Sequence, residues 1–538
     1  RRQRQMCIRD RYILIVLSVL QFGACSDDKG NYIYKEINEL MVVENLEKGK
    51  LYTKVSFVDS LSFDPVINST LKDFNEADYE YLWKAIPKGV DFNKIEHVDS
   101  LVLSTERRID MLLTLKPGDY SCFFNIIDKE TGICWSTPFQ LRVKSMTSEG
   151  WMVLCEENGK SRMDIIFNSN ENDDLIAHNI WGNEPFKPGF PRRLLYNYSV
   201  NEVFPMLVTD DDTYVMDPEY LRVGEDNSLK WRFGITPDAV HLLASNLSMF
   251  SVSNRLVIVD DRHEVYSIDR SVYGSVFEYP INKIDGKIDF RAAPFVGVSF
   301  DDNYINGGYG CAPAVLYDAT HRQFLVIRNN STYPSVMTFS GEHIFPVQTG
   351  CDLVHMESTK SGLIYAILKH PTTHEFFFCG MKLRARYKAP QYWWQQGDYE
   401  EYNIQEYYGK VTGADLENAT MFACHHSLPY LFYSDGQKVY QFDMGHPDIP
   451  AKEVLYFPGE SIKVLRFNPF VAWEAYEDWE RARNYQLLIG TRERRVPENE
   501  CGIMRLYDVP NLMGDLIKKK EYKKLGKIVD IVYKERKK

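Results

Sequence analysis

The sequence predicts an all-β protein, a small β-sandwich followed by a β-propeller, and three observations carry that expectation. Aromatic residues are abundant, with 34 Tyr, 30 Phe and 9 Trp, and aromatic and β-branched side chains suit the pleated, half-buried surface of a strand. Between about residues 35 and 146, short alternating runs are separated by turn residues. Beyond residue 150, apolar runs recur in pairs joined by polar turns. At 538 residues the chain has room for one small domain and one large repeat fold, and its hydrophobic content of 44% supports a sizeable core.

The N-terminal stretch sets the cellular address. Tyr12 to Ala24 (YILIVLSVLQFGA) carries no charge and follows Arg9 and Arg11, which is the layout of a signal peptide. The run is shorter than the roughly twenty residues that span a bilayer. Gly23 and Ala24 are small enough for a signal peptidase, and Cys25 offers a thiol for lipid. The stretch resembles a bacterial lipoprotein box, with Phe22 a less usual occupant of its first position. Ser26, Asp27, Asp28 and Lys29 resemble the export signal of Bacteroidetes lipoproteins carried to the outer face of the outer membrane. The resemblance implies that residues 1–24 are removed and that the mature chain starts at a lipidated Cys25, anchored in the outer membrane and facing the exterior. Each buried methylene adds about 0.8 kcal/mol, so more than one acyl chain holds such an anchor in place. Residues 1–11 (RRQRQMCIRDR) are odd for a leader; MCIRDR resembles translated sequencing adapter, and Cys7 is assigned no role.

Residues 25–34 form a tether. In the segment 35–146, Tyr79-Glu-Tyr-Leu-Trp83 places a tryptophan in a sandwich core. The stretch Leu113 to Gly132 (LTLKPGDYSCFFNIIDKETG) runs from a Pro-Gly turn through an alternating strand to an Asp-Lys-Glu-Thr-Gly turn. About a hundred residues with this cadence suit an immunoglobulin-like sandwich. The CSDDKGNYIYKEIN start, the YEYLW strand and the LKPGDYSCFFNIIDKETG hairpin also resemble the PKD-like family of Bacteroidetes lipoproteins. Such proteins accompany SusC/SusD-like nutrient importers, so the resemblance implies as partners a SusC/SusD-like transporter pair, other surface lipoproteins and a peptide or glycan ligand.

Residues 144–150 (KSMTSEG) mark a boundary, and seven hairpins follow. Their strands are Trp151–Cys155 with Met163–Phe167, Met206–Val208 with Thr213–Met216, Arg255–Val259 with Glu264–Ile268, and Phe324–Ile327 with Ser335–Phe339. Leu363–Ile367 with Glu375–Phe378, Tyr430–Tyr433 with Lys438–Phe442, and Gln486–Ile489 with Ile503–Leu506 complete the set. The starts average about 56 residues apart over six intervals. A hairpin is marginal alone and must be completed by further strands and buried against neighbours. Repeats of roughly this period belong to β-propellers, so residues 150–538 read as a seven-bladed propeller. The late run Lys527–Tyr533 suits ring closure, which removes an open edge.

Charge and motifs narrow the function. The formal charge is −12, and a leader of five Arg and one Asp leaves −16 on the chain from Cys25 onward, a balance that argues against nucleic acid. Cys122 and Cys134 lie in adjacent strand-like runs, so a disulfide between them stays open. Cys155, Cys379 and Cys424 sit inside apolar runs and read as small hydrophobes. There is no CxxC pair, GxSxG, HExxH or phosphate loop, so no catalytic residue, metal or cofactor is assigned. Asp210-Asp211-Asp212 lacks the glycine and final glutamate of a calcium loop and reads as a solvated turn. His425 and His426, on a strand, point to opposite faces.

The candidate ligand-binding residues are aromatic and cationic side chains in segments between the hairpins, where a rigid scaffold presents binding loops. The densest segment holds Tyr392, Trp393, Trp394, Tyr399 and Tyr402 and continues to Tyr407 and Tyr408. A glycine-rich loop holds Tyr304 and Tyr309. A Pro/Gly loop running from Trp181 to Arg193 holds Trp181 and the guanidinium groups of Arg192 and Arg193, suited to a carboxylate or a planar ligand. The expected function is nutrient capture for a SusC/SusD-like, TonB-dependent importer. Two other classes stay in play: a surface glycan lyase or hydrolase using carboxylates in the propeller funnel, and a structural brace of the transporter. The first demands charged groups converging at the axis and the second demands no concave pocket.

Overall fold

The computed structural model describes residues 38–535, apart from 57, 72, 89–99, 169–173, 183, 199–202, 249–254, 271, 273, 299–313, 329–330, 389–391, 393–397 and 469–476. The leader, Cys25, Ser26, Asp27, Asp28 and Lys29, and also Tyr304, Tyr309, Trp393 and Trp394, lie outside the described residues. The chain is all-β and divides into two compact units. One is built from the chain up to Lys54, Ser60–Leu113 and Gly118–Arg142; the other is built from Val143–Lys538 with Val55–Asp59 and Thr114–Pro117.

The first unit is an immunoglobulin-like sandwich. A five-stranded antiparallel sheet has the order Leu51–Val55, Cys134–Lys144, Gly118–Asp128, Tyr79–Pro87 and Leu101–Ser104. Two further strand pairs are Leu40–Glu44 with Val66–Ser69 and Ser60–Phe63 with Ile109–Leu112. Burial alternates along Tyr79–Pro87 and Gly118–Asp128, because one face of the sheet meets the core. Trp83 is at the centre of that core, fully buried, with its ring 4.3 Å from Phe124 and stacked on Phe63 at 5.9 Å. Its indole N–H donates to the Glu106 carbonyl at 2.8 Å. The Asp128–Gly132 turn closes as the sequence predicts. The Asp128 carboxylate accepts from the Glu130 and Thr131 N–H groups, and Gly132 adopts φ 71°, where a side chain would be strained.

Cys122 and Cys134 are both free thiols. Cys122 is buried on the inner face of its strand, and burial pushes its thiol up to about 12, whereas Cys134 is exposed at the start of the next strand. A thiol reagent is therefore expected to modify Cys134 in the native protein and Cys122 only after unfolding. A Cys122–Cys134 cross-linked peptide in a non-reducing digest would contradict this.

Among the described residues the second unit contains seven antiparallel sheets of three or four strands in chain order, besides the two-stranded pairs Lys283–Ile284 with Ile288–Asp289 and Ala385–Lys388 with Asp398–Glu401. The first comprises Gly150–Glu157, Lys160–Asn168 and Asp174–Ala177, joined by Lys527–Lys534. The second comprises Pro191–Tyr198, Val203–Thr209 and Thr213–Val215, and the third Leu242–Ser248, Arg255–Asp260 and Val265–Asp269. The fourth holds Gly297–Val298, Ala314–Asp318, Gln323–Ile327 and Ser335–Val336. The fifth holds Asp352–Ser358, Leu363–Lys369, Phe376–Lys382 and Ile404–Val411. The sixth holds Met421–Cys424, Tyr430–Ser434, Lys438–Asp443 and Lys452–Tyr456, and the seventh Glu460–Arg466, Gln486–Glu493, Gly502–Asp508 and Ile517–Leu525. Each hairpin predicted from sequence supplies adjacent strands of a different sheet.

The central strands are buried along almost their whole length, as in Gly150–Glu157 and Leu363–Lys369, because both faces of each sheet are covered by neighbours. Every consecutive pair of sheets shares a hydrophobic cluster, and so do the seventh and the first. In that last cluster Trp151 meets Tyr533 edge to face at 5.0 Å, beside Leu488, Met504, Ile528 and Ile531. Lys527–Lys534 pairs antiparallel with Gly150–Glu157, placing Trp151 opposite Tyr533 and Val153 opposite Ile531. The N- and C-terminal segments of this unit thus share one sheet, a propeller-like arrangement.

Candidate ligand cavity

Seven strands, one from each sheet, converge in the second unit. Pro191–Tyr198 packs against Leu242–Ser248, which packs against Gly297–Val298, and the series continues through Asp352–Ser358, Met421–Cys424 and Glu460–Arg466. Lys527–Lys534 packs against both Glu460–Arg466 and Pro191–Tyr198. A cavity of about 480 Å3 lies where they meet, and residues on or next to all seven strands line it.

Much of the polar lining serves the assembly itself. Asn197 Nδ2 donates to Ser245 Oγ at 2.9 Å, Asn246 Nδ2 to the Val296 carbonyl at 2.9 Å, and the Val298 N–H to Ser358 Oγ at 2.9 Å. The Cys424 N–H donates to Glu357 Oε2 at 2.7 Å and the Tyr533 N–H to Asn468 Oδ1 at 3.1 Å. Asp530 Oδ2 accepts from the Leu194 N–H at 2.9 Å, and its Oδ1 accepts from the Ile531 N–H at 2.9 Å and from Arg466 Nη2 at 2.7 Å. All but the Asn197–Ser245 and Arg466–Asp530 bonds satisfy backbone groups, and together they tie six of the seven sheet junctions.

The junction of the sixth and seventh sheets is closed by rings. His425 and His426 meet the Phe467 ring at 5.0 and 6.0 Å, and both are buried. Their Nδ1 atoms accept backbone N–H bonds from Ser427 and Leu428 and from Lys360 respectively. Burial is the main cause that lowers each imidazole to about 4. An unfolded histidine gains its proton near 6.5. Stability from the neutral rings is therefore complete above pH 6.5 and is lost as pH falls through 4, because the unfolded chain takes up protons that the native state refuses. By pH 5 the loss reaches about 2 kcal/mol per ring, at roughly 1.4 kcal/mol per pH unit below 6.5. Urea unfolding between pH 7 and 5 is expected to show this decline, and the His425→Asn/His426→Asn protein, which keeps an acceptor near each Nδ1, is expected to show a flatter one. Equal slopes would contradict the assignment.

The candidate residues fall in different places. Arg192 lines the cavity, with its guanidinium 5.2 Å from the Phe190 ring. Arg193, from the same Pro/Gly loop, lines it too, together with Arg466, His355, Glu357 and Asp530, none of which stands out in the sequence. Burial is the main cause that lowers Arg193 below the usual arginine range; Arg466 adds to the shift and Asp530 opposes it.

Trp181 is corrected: it is 2% exposed, packs between the first and second sheets, and donates its indole N–H to the Leu221 carbonyl at 2.8 Å. No face of its ring is open to a ligand. The dense aromatic segment is also corrected, because it contains strands. Asp398–Glu401 pairs with Ala385–Lys388, and Ile404–Val411, carrying Tyr407 and Tyr408, is the outer strand of the fifth sheet. Tyr399 lies on the first of these strands, and its side chain is outside the described residues. Tyr402 is half-buried, and its N–H donates to the Arg384 carbonyl at 2.9 Å. Tyr392 is 46% exposed and remains a surface ring.

The Asp210–Asp212 turn is less solvated than predicted. Asp212 is buried and accepts from the Thr213 and Val240 N–H groups and from Ser228 Oγ. Among the described residues no group of three or more His, Cys, Asp or Glu is placed to hold a metal ion, and no helix is long and apolar enough to cross a membrane.

Comparison with solved structures finds distant similarity. A quinonprotein alcohol dehydrogenase-like protein from Bacteroides thetaiotaomicron is 11% identical, with 92% of this chain and 99% of that chain covered at a TM-score of 0.36. The extracellular domain of a putative one-component system from B. thetaiotaomicron is 10% identical, with 78% and 57% covered at 0.32. The WD40 domain of SCAP from fission yeast is 8% identical, with 69% and 90% covered at 0.26. No curated protein matches the chain. The model of the PKD-like family matches residues 25–184, so the chain carries a PKD-like domain in its N-terminal part.

Proposed function

We propose that this chain is a lipid-anchored protein of the outer cell surface that captures an oligopeptide or oligosaccharide for a SusC/SusD-like, TonB-dependent importer. The observation that carries the reading is the cavity of about 480 Å3, which falls in the size range of ligand pockets. We take the seven sheets as the blades of a closed propeller. The pairing of Lys527–Lys534 with Gly150–Glu157 and the cluster shared by the seventh and first sheets support this reading. Cys25 and the Ser26-Asp27-Asp28-Lys29 signal supply the anchor and the address. Anchoring beside the transporter raises the effective concentration of captured nutrient at its entry site. Tyr392, Trp393, Trp394 and Tyr402 are proposed as a second contact surface.

Capture is favoured over catalysis because both carboxylates of the cavity are already engaged. Asp530 holds two backbone N–H groups and Arg466, and Glu357 holds the Cys424 N–H and lies 3.3 Å from His355 Nε2. A bracing role predicts no concave pocket, and the cavity weighs against it. The test is affinity purification of the tagged protein from its host, with mass spectrometry of co-purifying proteins and small molecules. A SusC/SusD-like pair with bound peptide or glycan is expected. The protein recovered alone, and able to degrade a polysaccharide panel, would overturn the proposal in favour of an enzyme.

A further inference from the structure

We infer that the cavity takes its ligand through a carboxylate group, held by Arg193 with Arg192 at the rim. The inference rests on the reading of the cavity as a binding site and concerns what that site selects. Three guanidinium groups, Arg192, Arg193 and Arg466, line the cavity against two carboxylates, Asp530 and Glu357. The excess is positive in a chain whose formal charge is −12. The existing bonds sharpen the contrast. Arg466 is committed to Asp530 at 2.7 Å, and Glu357 to the Cys424 N–H and His355. Arg193 spends one donor, Nη1, on the Leu243 carbonyl and makes no ion pair among the described residues.

Arg193 is thus a half-buried guanidinium with donors to spare, lining the cavity beside a second guanidinium, Arg466, and the carboxylate paired with it. Burial and Arg466 both disfavour its charge, and an entering anion relieves that cost. The planar fork of arginine matches a carboxylate with two parallel hydrogen bonds. Arg192, exposed beside Phe190, extends the positive field toward the opening, where it steers anions inward. A peptide C-terminus and a uronic acid carry the same group, so the structure selects the chemistry that the two share.

The experiment uses matched probes on the full mature chain by calorimetry. Trialanine is compared with trialanine amide, and tri-galacturonate with its methyl ester. The acid form of at least one pair is expected to bind roughly ten-fold or more tightly than its neutral partner, and the pair that responds names the source. Arg193→Gln is expected to abolish the preference, whereas Arg193→Lys, which keeps the charge, retains part of it; thermal melts establish that both variants fold. Equal binding of acid and neutral forms would overturn the carboxylate inference and leave the capture reading intact. Absence of binding by all four probes would overturn both.

Discussion

A protein lacking residues 527–538 is expected to lose the cooperative fold of its second unit. Ile528 and Ile531 are fully buried, Tyr533 is 1% exposed and Val532 6%. Burying a large apolar side chain stabilises by about 1.5–3 kcal/mol, so four of them are worth roughly 6–12 kcal/mol, comparable with the ~5–15 kcal/mol that holds a typical native protein. Deletion also strips Trp151 of its edge-to-face partner and opens the hydrogen-bonding edge of Gly150–Glu157, a template for aggregation. Near-ultraviolet circular dichroism and limited proteolysis of the truncated chain are the measurements. Retention of a sharp, native-like melt would show that the strand is an accessory to the first sheet.

The second large effect is expected at Asp530. This carboxylate, 5% exposed, accepts from Leu194, from Ile531 and from Arg466, so it links the first sheet to both the second and the seventh. Asp530→Ala leaves two N–H groups and a guanidinium without their acceptor and leaves Arg193 and Arg466 facing each other. A buried donor left without its acceptor costs about 1–3 kcal/mol, and the Arg466 pair adds less because the arginine side chain is 34% exposed; the loss is to be read from denaturant midpoints at unchanged slope. Asp530→Asn is expected to cost less, because its amide oxygen keeps one acceptor. Midpoints unchanged in Asp530→Ala would mean that the ion pair contributes nothing to holding the sheets together.

The hairpins were legible because their strands are covered on both faces. Runs such as Leu363–Leu368, apolar but for the Tyr365 hydroxyl, stand out from any background. The strands that meet at the cavity were less so. Asp352–Ser358 mixes exposed, half-buried and buried positions, and Gly297–Val298 is too short to show a period. The outer strand Ile404–Val411 reads as loop from the sequence because it continues the aromatic segment between two hairpins, although its alternating burial is that of a pleat.

The site divides in the same way. Arg192 and Arg193 were legible as guanidinium groups in a Pro/Gly segment, but Arg466 and Asp530 are brought to them from the other end of the second unit by strand packing, and no local spacing encodes that. Trp181 misled because Gly182, Pro185 and Pro188 around it signal an exposed connector; the loop is a connector, and its tryptophan is the plug that fixes it to the core.

Capture in the cavity is tested most directly by native mass spectrometry of the protein purified from its host, wild type beside Leu195→Trp, which fills the space with an indole. A bound small molecule on the wild type that is absent from a folded Leu195→Trp protein is the predicted result. A wild type that carries no ligand, or an adduct retained by the filled variant, would contradict it.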